Sequence, residues 1–305
     1  MERRTFLKNT AAAGLIGGIA LNLPGKVISK TSKGKYDMVA IKGGEPAEMF
    51  DKGIAALGGM NVFVKPGQTV VVKPNIGWSK TPKEAANTNP ELVKRIIEHC
   101  IKAGAKTVYV FDHTCQNWKD TYSKSGIAEA AKAAGAKVVC GNYEKDYREI
   151  DIPKGKRLKK AKVHNLILDS DVFINVPVLK NHGGAVMTSA MKNFMGIVWD
   201  RGYFHKNDLQ QCIADSIMIR MPDLNIVDAY RVMKKGGPRG RGLQDIATMK
   251  YQLLSTDIVA IDTAASKVLG ISESRIGHLK LGEELKLGTM NIDKLNVKRI
   301  NIDKA

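Results

Sequence analysis

Carboxylates are scarce in this chain, with 30 Asp and Glu against 48 Lys and Arg and a formal charge of +18. That balance favours small anionic partners, phosphate or carboxylate metabolites among them, or acidic lipid headgroups and cell-wall polymers. Aromatic residues are also few, at 6%. The basic residues are scattered rather than interleaved with aromatics, no recognised nucleic-acid motif appears, and nucleic acid is not expected as a partner. The four cysteines, Cys100, Cys115, Cys140 and Cys212, lack C-x-x-C spacing, which argues against a locally held iron-sulfur cluster and against a zinc knuckle. Cys100 and Cys212 fall on apolar stripes of predicted helices, where a buried thiol is expected.

The apolar run at residues 11–21 is shorter than the ~20 residues of a comfortable membrane span, and it lacks the polar face of a surface helix. It follows Glu2-Arg3-Arg4-Thr5-Phe6-Leu7-Lys8, and together they read as a twin-arginine export signal over residues 1–30. This predicts the twin-arginine translocation machinery as a partner and a periplasmic or otherwise extracytoplasmic location. No clear small-x-small cleavage triplet follows Pro24-Gly25, so both removal and retention as a membrane tether stay open.

From Tyr36 onward, strand-like and helix-like segments alternate, the pattern of an α/β fold with a largely parallel sheet and helices on both faces. Thr69 to Val72 is a β-branched run. Asn89-Pro90 then caps a helix with Leu92, Val93, Ile96, Ile97 and Cys100 at helical spacing, ending at Gly104. A strand at 107–111, a helix at about 122–134 and a strand at 137–140 complete a βαβαβ half. Residues 146–152 and 158–168 predict a β-rich hairpin or insertion, whose basic turn from Lys154 to Lys162 reads as a solvated face. Further elements are a strand at 171–176, helices at 189–195 and 207–219, a strand at 224–228, a helix capped by Thr256 or Asp257 and ending at Gly270, and an edge strand beyond Asn291. The division is a leader (1–30), one α/β domain (36–285) and a C-terminal edge strand or tail (286–305).

Ligands of open α/β sheets bind beyond the carboxyl ends of the strands, and four such loops carry polar sets. They are Lys73-Pro74-Asn75, Asp112-His113-Thr114-Cys115, Lys180-Asn181-His182-Gly183-Gly184 with Lys192-Asn193 downstream, and Asp228-Ala229-Tyr230-Arg231. The third is the richest, since Gly183 and Gly184 would permit close backbone approach and the next helix would offer unpaired N–H groups to an anion. The 112–115 set has the residue types of a metal site, although three polar residues at a strand end are more often a hydrogen-bonded turn, and no metal is assigned. Trp199 to His205 reads as a lid. Gly236 to Gly242 is not a dinucleotide fingerprint; it reads either as an anion wrap or as a surface loop.

Lys73-Pro74-Asn75, the run Phe173 to His182, Met191-Lys192-Asn193-Phe194-Met195-Gly196 and Leu224 to Asp228 resemble the domain-of-unknown-function family 362, over roughly residues 37 to 270. Many members append a cysteine-rich ferredoxin-like segment, which the cysteine-free tail here lacks. The layout is also distantly similar to the N-terminal part of the nickel-pincer lactate racemases, which have a basic, histidine-bearing cleft for an anionic cofactor and a hydroxy acid. The resemblance implies a cleft built from Lys73, Asn75, Lys180, His182, Lys192, Asn193, Asp228 and Asp262. Lys180 and Lys192 would clamp anionic oxygens, Asn75 and Asn193 would donate hydrogen bonds, and His182 would be the general base or acid. Asp228 would orient His182, or hold a divalent metal with Asp262.

No cofactor is named by these residues. The first expectation is an enzyme doing acid-base chemistry on a carboxylate or phosphate, with His182, Lys180, Lys192 and Asp228 as its catalytic set. The second is a non-catalytic cofactor-binding or assembly factor. An iron-sulfur electron carrier comes third, against the cysteine spacing.

Overall fold

The computed structural model describes residues 35–304; the leader read at 1–30 lies outside them. The strands are β1 (Met38–Lys42), β2 (Thr69–Pro74), β3 (Thr107–Val110), β4 (Lys137–Val138), β5 (Tyr147–Asp151), β6 (Lys160–His164), β7 (Val172–Val176), β8 (Val178–His182), β9 (Val186–Thr188), β10 (Leu224–Met233), β11 (Ile246–Ser255) and β12 (Val297–Asn301). The helices are α1 (Pro46–Ala56), α2 (Pro90–Lys102), α3 (Trp118–Lys124), α4 (Ile127–Ala133), α5 (Asn165–Asp169), α6 (Arg201–Lys206), α7 (Leu209–Ile217), α8 (Ile258–Leu269) and α9 (Gly277–Glu284).

The main sheet runs β12-β1-β11-β10-β7-β2-β3-β4. From β10 through β7, β2 and β3 to β4 every pairing is parallel. β11 is antiparallel to both β10 and β1, so the sheet is mixed on that side. β12 adds parallel to β1 as the edge strand expected beyond Asn291. The predicted hairpin is the separate pair β5-β6, in which Lys160 and Lys162 pair with Glu149, Asp151 and Glu144.

Burial on both faces follows from the strand composition. Val70 and Val72 of β2 and Ile174 of β7 pack into one core with α1, α2 and α4, while Val71 and Phe173 point into the other with α7 and α8. Helix α2 starts as its sequence predicts: the Asn89 side chain accepts from Glu91 N, Pro90 follows, and Leu92, Val93, Ile96, Ile97 and Cys100 are buried. At α8, Asp257 accepts from Val259 N and Ala260 N, and Gly270 closes the helix at φ 78°.

Two predicted helices differ. The one expected over 122–134 is two, α3 and α4, because Gly126 takes φ 69° between them. Residues 189–195 are not an α-helix; a 3₁₀ stretch runs from Lys192 to Ile197 instead.

From β2 the chain steps outward to β3 and β4, and from β7 it steps the other way to β10. The order therefore reverses between β2 and β7. The crevice beyond the carboxyl ends of these two strands is the place for a ligand in such a sheet.

Candidate functional site

A cavity of about 390 Å³ occupies that crevice. Asn75 from the loop after β2, Asp112 from the loop after β3, Lys180 and His182 of β8, Lys192 of the 3₁₀ stretch and Arg201 of α6 all line it.

Its three neighbouring lysines differ in how their ammonium protons are used. Lys73 is fully buried behind the wall, and Nζ donates to Asn193 O and Oδ1, both at 2.7 Å, and pairs with Asp112 Oδ1 at 2.8 Å. Burial pushes its pKa down while Asp112 holds it up. With two hydrogen bonds to Asn193 and an ion pair to Asp112, and absent from the cavity lining, Lys73 organises the wall and does not face a ligand.

Lys180 is also buried, and its Nζ donates to Asn75 Oδ1 at 3.1 Å and to Ala86 O. Burial, with Lys192 and Lys73 adding repulsion, lowers it to about 7. Lys192 lines the cavity half-buried. Its Nζ has no hydrogen-bond or ion-pair partner among the described residues, and burial, with repulsion from Arg201 and Lys73, lowers it to about 8.

The asparagines lock this arrangement together. Asn175 Nδ2 donates to Asn225 Oδ1, Asn193 Nδ2 to Asn175 Oδ1, and Asn75 Nδ2 to Asn193 Oδ1. One chain of side-chain amides thus runs across β10 and β7 to Asn75, which receives Lys180. Asn75 and Asn193 both line the cavity; both amide protons of Asn193 are committed, to Lys73 O and Asn175 Oδ1, whereas Asn75 Nδ2 gives one of its two to Asn193 Oδ1.

His182, expected as the general base or acid, lines the cavity. Its Nδ1 accepts from Ala185 N at 3.0 Å, which leaves the ring proton of the neutral form on Nε2. Burial, with Lys192 and Lys180 beside it, lowers its pKa to about 3. At neutral pH it is an uncharged N–H donor.

Three further expectations are corrected. Asp228 is buried with Oδ2 accepting from Asn89 N at 2.7 Å and Oδ1 from Tyr230 N at 3.1 Å. It anchors the start of α2 and neither orients His182 nor lines the cavity. Asp262 is fully buried and accepts from Ala190 N at 2.7 Å and Met191 N at 2.9 Å. The backbone N–H groups expected to receive a ligand anion are thus already occupied by a carboxylate of the chain itself. Asp228 and Asp262 serve different backbones and do not converge on a metal. Gly183 and Gly184 form the exposed β8-β9 turn, outside the cavity wall.

Residues 112–115 are an extended segment tied to the rest of the fold, with His113 N donating to Gly196 O, Thr114 N to Asn142 Oδ1 and Cys115 N to Gly77 O. Asp112 pairs with Lys73, and His113 stacks on Trp199 at 5.0 Å. Among the described residues, no three of His, Cys, Asp and Glu are grouped to hold a metal ion, and all four cysteines are free thiols.

Sequence reasoning missed Arg201 and Thr188 as site residues. Arg201 donates to His113 O at 2.9 Å, Thr114 O at 2.7 Å and Cys115 Sγ at 3.1 Å. It sits within the segment read as a lid, where a lone arginine had no spacing to mark it. Of that segment, Arg201, Gly202 and His205 reach the cavity. Thr188 Oγ1 is buried there with no hydrogen-bond partner. From the 236–242 loop only Pro238 reaches it, and Arg241 pairs with Asp245 instead.

The cavity is consequently lopsided in charge. Lys180, Lys192 and Arg201 have no carboxylate at ion-pair distance among the described residues, and Asp112 is already neutralised by Lys73. A larger opening of about 600 Å³ lies across His113, lined by Glu144, Glu149, Asp200, Lys160 and Lys162. Lys160 pairs with Glu149 and Lys162 with Glu144, and Asp200 accepts from Tyr203 N, so among the described residues this opening has no unpaired cation. No helix among the described residues is long and apolar enough to cross a membrane.

A thylakoid-associated protein of Synechocystis sp. is 26% identical over 242 residues, 76% of this chain and 72% of that one. Among solved structures, the lactate racemase apoprotein of Thermoanaerobacterium thermosaccharolyticum is 13% identical with a TM-score of 0.44, covering 85% of this chain and 58% of that protein. A Thermotoga maritima structural-genomics target is 11% identical with a TM-score of 0.45, covering 79% and 60%. This chain thus spans less than two thirds of either solved protein, and at those values neither bears on its chemistry. The profile described as Domain of unknown function (DUF362) matches residues 70–267, and this chain belongs to that family.

Proposed function

We propose that the cavity binds a small carboxylate or phosphate and performs acid-base chemistry on it. The observation carrying this reading is Lys192, an ammonium group lining a cavity with no counter-charge of its own, beside Lys180 and Arg201. An anion supplies the missing charge, in surroundings dry enough for the ion pair to be strong. The N–H at His182 Nε2 and the free hydroxyl of Thr188 give two directional contacts for its oxygens. Lys73, Asn193 and Asp262 position this wall from behind.

The experiment is a thermal-shift titration of the leaderless protein with inorganic phosphate and with small mono- and dicarboxylates, repeated on Lys192→Met. Ligand at 100 times its dissociation constant adds about 2.7 kcal/mol to stability, and the reading expects that gain to vanish in the variant. An equal gain in both proteins, or none in either, would sink it.

The export route belongs to the same proposal and rests on the leader alone. Residues 1–34 fused to a reporter should direct it across the membrane by the twin-arginine machinery, and Arg3→Lys with Arg4→Lys should stop it. Export that is insensitive to both substitutions would refute the route.

A further inference from the structure

The environment of Lys180 Nζ differs from that of every other lysine at the site in the number of acceptors it meets. Two acceptors of the protein, Asn75 Oδ1 and Ala86 O, take two of its protons, and its remaining direction belongs to the cavity it lines. A neutral amine has two N–H bonds and one lone pair. With both N–H bonds held, the lone pair takes the remaining tetrahedral direction. At Lys73 two acceptors of Asn193 and the ion-paired Asp112 carboxylate surround the nitrogen, and the residue does not line the cavity. At Lys192 no acceptor orients the group at all.

We propose that Lys180 is the proton acceptor of this site, its lone pair aimed at an anion held by Lys192 and Arg201. This replaces the clamping role that its charge first suggests, and it rests on the anion-binding reading above. The fitting substrate class is a small carboxylate or phosphate with an O–H, or a C–H made acidic once Lys192 and Arg201 neutralise the anionic group, next to that group. The Lys180 nitrogen takes that proton and the electron pair of the broken bond stays on the substrate oxygen or carbon. Lys180 becomes an ammonium that returns the proton to the product.

Asn75 and Ala86 remain acceptors throughout, so the transfer needs no rearrangement of the amine. Asn75 is itself fixed through Asn193 to the ladder that reaches Asn225, which pre-sets the direction of the lone pair. The charged and titratable groups facing Lys180 are Lys192, Lys73, Asp112, Cys115 and His182. Burial and the two lysines favour the free amine near pH 7, and Cys115 and, from within its pair with Lys73, Asp112 oppose them.

The test is a lysine ¹³Cε NMR titration of the leaderless protein, with Lys180 assigned by loss of its signal in Lys180→Arg. The expected result is a midpoint near neutrality, well below the surface lysines at about 10.4. Saturating inorganic phosphate should raise it by about one unit or more. At pH 7, limiting acetic anhydride should modify Lys180 ahead of the surface lysines. If Lys180→Arg does not fold, Asn75→Leu supplies the assignment by removing one acceptor and shifting the same signal.

A Lys180 that titrates with the surface lysines, or preferential modification of Lys192, overturns the proposal while a phosphate effect still upholds anion binding. A near-neutral Lys180 with no phosphate effect on either its midpoint or the melting temperature overturns the anion reading, and with it the substrate class.

Discussion

Lys73 Nζ lies 2.8 Å from Asp112 Oδ1 with both side chains buried, joining the carboxyl end of β2 to the turn after β3. The pair neutralises itself, so the positive character of the cavity comes from Lys192 and Arg201, joined by Lys180 when it is protonated. Removing one partner leaves a buried charge without compensation, a loss of about 3–5 kcal/mol. Asp112→Asn should therefore lower stability by that order in urea unfolding. Lys192→Met, which deletes an unpaired cation, should leave stability unchanged or raise it. The reverse ranking would mean that the charges are misassigned.

Stability should rise with pH above neutrality. Lys180 and Lys192 have folded-state values of about 7 and 8 against an ordinary 10.5. Between those limits the unfolded chain binds more protons, so each group adds up to about 1.4 kcal/mol per pH unit as pH increases. Melting temperature in phosphate-free buffer is expected to climb from pH 7 to 9. Phosphate should flatten that climb, because a bound anion stabilises the ammonium form. A falling or flat profile without phosphate would contradict the lowered values.

Below neutrality, His182 and His278, lowered to about 3 by burial, stay neutral in the fold while the unfolded chain protonates near 6.5. Their contribution is present above 6.5 and lost as pH falls toward 3. Asp228 and Asp262, raised to about 6 by burial, act in the opposite sense between 3.8 and 6. In His182→Gln and His278→Gln the loss of stability on acidification should be smaller than in the parent protein, as read from melting curves between pH 7 and 4.5. An unchanged acid slope in both would refute the assignment.

Asp262→Asn replaces an acceptor of two backbone N–H groups with a side chain that can satisfy them only in part. The expected cost is about 1–3 kcal/mol, with weaker phosphate binding because Lys192 and Asn193 follow directly on the anchored backbone. A loss of stability with phosphate affinity untouched would confine Asp262 to the core.

The glycines separate a packing constraint from a turn. At Gly196 an added Cβ would fall on the Asp112 carboxylate and the Lys73 ammonium, whereas at Gly183 it would meet nothing within 4 Å. Gly196→Ala should cost several times what Gly183→Ala does, the latter staying within about 0.5 kcal/mol. Equal costs in denaturant unfolding would place the constraint elsewhere.

The sequence by itself determined the alternating α/β architecture, because β-branched runs of strand length and 3.6-residue periodicity are local signals. The Asn89-Pro90 start of α2, the Asp257 cap and Gly270 end of α8, and the edge strand near the C-terminus were legible in the same way. The family resemblance pointed to Lys180, His182, Lys192, Asn193 and Asn75 as one crevice, which they line, and to Lys73, which lies behind its wall. What only the tertiary structure decided was the use to which each polar group is put. Asp262 lies 71 residues beyond the Met191 N–H it accepts and Asp228 139 beyond that of Asn89, so no local spacing could show that these carboxylates are spent on backbone. Nor could composition rank the lysines: the number of acceptors around each Nζ, three at Lys73, two at Lys180 and none at Lys192, is set by contacts up to 120 residues apart.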